Sequence, residues 1–137
     1  GAMSEPSYKV SFWFRKLLVP VDGSESSMKA LELAADFNMR YGSEITVLYV
    51  RGLQDDESLI RSAVNRRIGR KINFEFRTRR LEGDSSVANE ILKEITEGDY
   101  DAVIMGARGK TTNPDLILGS VALAVVANSP LTVIIVR

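Results

Sequence analysis

The sequence predicts an α/β fold: an open, doubly wound sandwich of three layers with a five-stranded parallel sheet in the middle. Three observations carry that expectation. Short apolar runs and helical periodicities alternate five times along the 137 residues. The central runs, residues 17–21, 45–50 and 102–105, are apolar almost without interruption, as strands buried on both faces are. Between successive runs lie stretches that read as helices, the crossovers that a parallel sheet requires.

Residues 16–21 form the first run, closed by the turn tripeptide Asp22-Gly23-Ser24. From Ser26 the period changes. Met28, Leu31 and Ala35, with Ala30, Ala34, Phe37 and Tyr41, recur at helical spacing, and Gly42 is placed to cap the end. Residues 45–50 give the second strand. Asp55-Asp56-Glu57 puts negative charge ahead of a second, weaker helix through Leu59, Ala63, Val64 and Ile68. Its basic residues, Arg61, Arg66, Arg67 and Arg70, read as a solvated face.

Phe74, Phe76 and Thr78 alternate with Glu75, Arg77 and Arg79, which predicts a half-exposed third strand. Arg77, Arg79 and Arg80 beside two phenylalanines would also suit RNA, but the rest of the chain is not basic, so a charged strand face is the expectation. Residues 83–86 open a third helix through Val87, Ala88, Ile91, Leu92 and Ile95, which stops at Gly98. A fourth strand at 102–105, a small-residue helix at 121–127 and a final strand at 131–136 complete the set. Residues 15–137 are therefore one domain. Residues 1–14 are a tag remnant, Gly1-Ala2-Met3, followed by an arm. The apolar segment 10–14 reads as an extension of the first strand, with an extra strand or a swapped arm as alternatives.

Composition narrows the chemistry. Eighteen basic residues balance eighteen acidic ones, so no net field draws the chain to nucleic acid or an anionic membrane. Cysteine and histidine are both absent, which removes disulfides, thiolate nucleophiles, the usual neutral-pH base and the commonest metal ligand. No run is long enough to span a bilayer. The expectation is a cytoplasmic domain poorly equipped for side-chain catalysis.

Gly109-Lys110-Thr111 shares the ending of a phosphate-binding P-loop. That motif needs a glycine five residues earlier, where Ile104 stands, and a helix from the lysine onward, where Asn113-Pro114 makes a turn. It is not a P-loop. In an open α/β sheet, ligands bind beyond the carboxyl ends of the strands, where strand order reverses. Among the residues past the strand ends, 105–109 alone lead into a long connection, with Gly119-Ser120 starting the next helix. Gly106 and Gly109 would let backbone approach a bulky group, and Gly119, Ser120 and Val121 would offer free amides to an anion. Arg108 and Lys110 are placed either to reach phosphate or to stay solvated.

The spacing Gly106-x2-Gly109-x9-Gly119-Ser120 resembles the signature of the ATP-binding branch of the universal stress protein family. Residues 17–24, Leu-Leu-Val-Pro-Val-Asp-Gly-Ser, are similar to that family's first strand and turn, and residues 83–91 to its third-helix entry. The resemblance spans about residues 15 to 137 and implies an adenine nucleotide alpha hydrolase-like, Rossmann-like arrangement. It further implies that Pro20, Val21 and Asp22 meet the adenosine end and that Val50 lines the base pocket. Met105 and Gly106 would contact the ribose and first phosphates. Gly109, Gly119, Ser120 and Val121 would hold the polyphosphate, with magnesium or manganese among its oxygens. The chain departs from the family pattern at 110–115, where Asp115 adds negative charge, and at Ala122, where a second hydroxyl residue is common.

The leading functional expectation is an ATP-binding, stress-response switch that acts as a homodimer. Its final strand, apolar on both faces, leaves an edge that pairing would cover, and in this family the corresponding strand pairs across a dimer. A slow ATPase and a structural dimer module with an empty cleft are the alternatives.

Overall fold

The computed structural model describes residues 14–109 and 118–137. In chain order they form β1 (Lys16–Val21), α1 (Glu25–Tyr41), β2 (Glu44–Arg51), α2 (Glu57–Ile68), β3 (Glu75–Arg80), α3 (Val87–Glu97), β4 (Ala102–Gly106), α4 (Ser120–Asn128) and β5 (Thr132–Val136). The sheet order is β3-β2-β1-β4-β5 with every pairing parallel. The chain thus builds outward from β1 on one side, then crosses and builds outward through β4 on the other. Strand order reverses between β1 and β4.

Strand alternation splits the apolar residues between two cores. Leu17, Val19 and Val21 of β1 face a core completed by Met28, Leu31 and Ala34 of α1 and Ile60, Val64 and Ile68 of α2. Leu18 faces the opposite core, with Ile91 and Ile95 of α3 and Ala122 and Val125 of α4. Each helix start is locally specified. Ser24, Asp56 and Ser86 cap α1, α2 and α3 by accepting an amide hydrogen bond in the first turn. Gly42 ends α1 in the left-handed conformation, φ 74°, which a glycine adopts without strain.

Four local expectations are corrected. The buried stripe of α2 is Ile60, Val64 and Ile68, while Leu59 is 71% exposed. Val64 and Ile68 were expected there, but Leu59 with Ala63 and Ile60 with Val64 share the same four-residue spacing, so the sequence left the rotation of the first turn open. Tyr41, expected on the apolar face of α1, is 41% exposed and touches Phe37 with its ring. Phe14 does not extend β1. Its ring instead packs 5.3 Å from that of Phe37, and residues 10–13 lie outside the described residues. Arg67 is not simply solvated, because it bridges α2 to Glu25 and Glu32 of α1 at 3.2 Å each.

The third strand departs furthest from a solvated face. Its phenylalanine side faces the first core, with the Arg61 guanidinium stacked 4.2 Å over the Phe76 ring. On its other side Arg79 reaches Glu90 (3.1 Å), Glu94 (2.8 Å) and Glu97 (3.2 Å) of α3. Arg77 meets the same Glu94 at 3.0 Å, and Tyr100 donates its hydroxyl to it at 2.6 Å. The Glu94 side chain is 2% exposed, so this carboxylate is buried and answered on all sides. Burial opposes the Arg79 charge, but hydrogen bonds to Glu94, Glu90 and Glu97 outweigh it and hold that guanidinium above its ordinary pKa.

Candidate functional site

A cavity of about 600 Å³ opens over the carboxyl ends of β1, β2 and β4, at the reversal of strand order. That volume lies within the range usual for small-molecule sites, about 300–1,000 Å³. Its two ends differ in chemistry. One is an apolar slot whose lining includes Leu48, Val50 and Met105 from strand ends, Val87 and Ile91 from α3, and Val121 and Ala122 from α4. The other is polar, with Arg108, Gly109, Gly119 and Ser120 between β4 and α4 beside the Asp22 turn with Ser24 and Ser27; Tyr49 and Asp55 add polar lining on the β2 side.

The residues singled out in the sequence converge here. Pro20, Val21, Asp22, Val50, Met105, Gly106, Arg108, Gly109, Gly119, Ser120 and Val121 all line this one cavity. Lys110 and Asp115 lie outside the described residues. Several wall residues were not anticipated. Val87 and Ile91 recur at four-residue spacing, and that signal marks a core-facing helix whether the neighbour is protein or ligand. Leu48 and Tyr49 stood in the sequence only as part of the second strand, and Asp55 only as charge ahead of the second helix.

The first turn of α1 is tightly organised. Asp22 Oδ1 accepts the Ser24 N–H at 2.9 Å, an Asx turn. Ser24 Oγ accepts the Ser27 N–H at 3.3 Å, Ser27 Oγ donates to the Ser24 carbonyl at 2.9 Å, and the Asp22 N–H reaches Ser27 Oγ at 3.4 Å. Across the cavity mouth, Asp55 Oδ2 accepts from Tyr49 Oη (3.0 Å) and the Gly52 N–H (2.8 Å). Burial first, then the hydrogen bond to Asp55 and its charge, push the Tyr49 hydroxyl up to about 12. Tyr49 therefore stays a neutral donor through the physiological range.

Two expectations about the glycines change in detail. The Gly119 amide is not free: it donates to the Ala107 carbonyl at 2.7 Å, which pins the helix start to the end of β4. Gly119 is the N-cap of α4, so the amides open to an anion are those that follow, Ser120, Val121 and Ala122, which have no partner within an α-helix. Gly106 does permit a close approach, but of the protein itself. A Cβ there would collide with Ser26 Oγ and stand 2.7 Å from both the Ser26 carbonyl carbon and the Ser27 nitrogen. The first turn of α1 fills the space that the missing side chain leaves.

The polar end can therefore present amides and a helix start to an anion, and the apolar end can take a flat hydrophobic group. The chain offers neither histidine nor cysteine for general-base or thiolate chemistry.

The universal stress protein family model matches residues 14–137. The universal stress protein MJ0531 of Methanocaldococcus jannaschii is 28% identical over 142 residues, covering 90% of this chain and 82% of its own. Among solved structures, a universal stress protein in complex with cAMP superposes with a TM-score of 0.74 at 22% identity, over 90% of this chain and 97% of that one. The Archaeoglobus fulgidus universal stress protein in complex with dAMP gives 0.64 at 22% identity, over 92% and 100%. At those identities the superpositions establish the shared fold, and the family match extends it to sequence across every described element. By that match, this chain is a member of the universal stress protein family.

Proposed function

We propose that the protein binds an adenine nucleotide, with ATP as the principal ligand, and acts as a nucleotide-dependent switch in a stress response. The observation that carries this reading is the division of one cavity into an apolar slot and an amide-rich end. The base occupies the slot between α3 and α4. The polyphosphate runs over Gly109 to the Ser120 and Val121 amides, where the α4 dipole favours negative charge. Asp22, in the turn that follows β1, is positioned to accept from ribose. The nucleotide complexes of the two related structures, with cAMP and dAMP, support the adenine class. Among the described residues no group of three or more carboxylates stands ready for a metal, so magnesium or manganese would ride on the phosphates.

The switch works through a homodimer. β5 ends the sheet, and among the described residues no strand pairs with its outer edge. Leu123 and Val126 of α4, which leads into β5, are 56% and 43% exposed. A two-fold contact along this edge would cover both features. Calorimetry with ATP and magnesium tests the binding reading, with AMP, adenosine and GTP alongside. Saturable binding of adenylates over GTP is expected, and no heat at millimolar ATP overturns it. Sedimentation equilibrium tests the dimer, and a monomer at tens of micromolar contradicts it.

A further inference from the structure

The polar end of the cavity is assembled from two loops far apart in the chain. One is the Asp22 turn that leads into α1. The other is the glycine loop that leaves β4 at Gly106. Ser26 joins them. Its hydroxyl donates to the Arg108 carbonyl at 2.8 Å, and the Arg108 N–H lies 3.4 Å from the same oxygen, a contact spanning 82 residues. The neighbouring serines do something different: Ser24 and Ser27 bond to each other and to Asp22, within the turn. Of the three, Ser26 is the one that reaches across.

The backbone around this contact leaves little slack. Gly106 lets the first turn of α1 pack directly on the end of β4. On the far side Ala107 is held twice, by its N–H to the Val136 carbonyl and by its carbonyl to the Gly119 N–H, both at 2.7 Å. The loop leaves Ala107 anchored to β5 and α4, and one residue later is anchored to α1. Gly109 follows immediately. The Ser26 bond therefore sets the distance from the Asp22 turn to the loop over which phosphates would run.

We infer that Ser26 is a positioning residue for the ligand's phosphates: it clasps the glycine loop to α1 and holds Gly109 at the spacing that a nucleotide bridging Asp22 and the α4 start requires. This rests on the nucleotide-binding reading above. Ser26 need not touch the ligand. It acts through the Arg108 main chain, so its loss should be felt by the phosphates and not by the base, whose slot lies between α3 and α4.

The test compares wild type, Ser26→Ala and Ser26→Thr, by calorimetry with magnesium–ATP and with adenosine, and by amide hydrogen exchange without ligand. Ser26→Ala should weaken ATP binding by about three- to tenfold, the worth of one hydrogen bond, and leave adenosine binding unchanged. Exchange at Arg108 and Gly109 should speed up while that of β4 does not. Ser26→Thr, which keeps the hydroxyl, should restore both. Wild-type ATP affinity in Ser26→Ala overturns the inference. So does an equal loss for ATP and adenosine, which would mark a merely structural serine. If wild type itself binds no ATP, the nucleotide reading fails and takes the positioning role with it, an outcome distinct from the other two.

Discussion

Two concavities sit at opposite ends of the same sheet, and they are built on opposite plans. The one at the strand amino ends, about 240 Å³, is lined by Lys16, Glu44, Glu75, Arg77, Glu94, Asp99 and Tyr100. Its charges largely answer one another: Arg77 and Tyr100 converge on Glu94, and Lys16 meets Asp99 at 3.4 Å. The larger one at the carboxyl ends is shaped by glycines, a helix start and apolar strand ends. Its amides beyond Gly119 are the ones an α-helix leaves unanswered. A concavity whose polar groups are satisfied from within holds the protein together. One that leaves donors facing outward is built to receive something. The difference lies in how hydrogen bonds are spent, and it can be broken from either side.

The largest effect is expected in the ion-pair network between β3 and α3. Arg79→Ala removes one partner from each of Glu90 and Glu94, whose side chains are 7% and 2% exposed, and leaves Ser85 and Lys93 on the first and Arg77 and Tyr100 on the second. Losing these charged hydrogen bonds at two buried carboxylates should cost about 2–4 kcal/mol in chemical denaturation, with ATP affinity of the folded fraction unchanged. A loss below about 1 kcal/mol would mean that the network is decorative. Beside the larger cavity, Gly106→Ala forces α1 away from β4, because the new Cβ meets backbone atoms of Ser26 and Ser27. It should cost about 1–3 kcal/mol and, unlike Arg79→Ala, weaken ATP binding as well. Equal ATP affinity in this variant would detach the α1–loop contact from the site.

A smaller effect concerns pH. The Ser85 hydroxyl first, then Arg79 and Lys93, hold the Glu90 carboxyl below its ordinary 4.5 despite burial. A depressed acid stabilises the fold above its unfolded pKa and loses that contribution as pH falls through the folded one. Denaturation midpoints measured from about pH 6 down to about pH 3.5 should therefore decline, and Glu90→Gln should flatten that decline. An unchanged slope in Glu90→Gln would place the acid sensitivity elsewhere. Magnesium–ATP affinity at neutral pH should not respond to this substitution.

Much of the carboxyl end was legible in the sequence because strand ends announce themselves. Val21-Asp22-Gly23 and Met105-Gly106 mark where an apolar run meets a turn, and Gly119-Ser120 marks a helix start. The five strands and their order of appearance followed from the same alternation. Contacts between distant segments left no such trace. Nothing in the residues around Ser26 points to Arg108, and strand alternation in β3 said that Arg79 would face away from the phenylalanines but not that α3 would meet it with three glutamates. Val87 and Ile91 were read only as positions along the third helix, because a slot wall and a core wall have the same period. Periodicity reports which face is apolar, and only the folded chain reports what stands opposite it.

Phosphate binding in this cavity depends on main-chain N–H groups at the start of α4, and one substitution addresses them alone. Ser120 is the first residue of α4, and Gly119 before it is extended, φ −73° and ψ 167°, a conformation compatible with a following proline. Proline is favoured at that first helical position, so Ser120→Pro deletes a single amide without disturbing the helix. Set beside Ser120→Ala, which keeps the amide, Ser120→Pro should bind magnesium–ATP at least about tenfold more weakly while binding adenosine equally well. Equal ATP affinity in the two variants would contradict the assignment of this helix start as the phosphate end of the site.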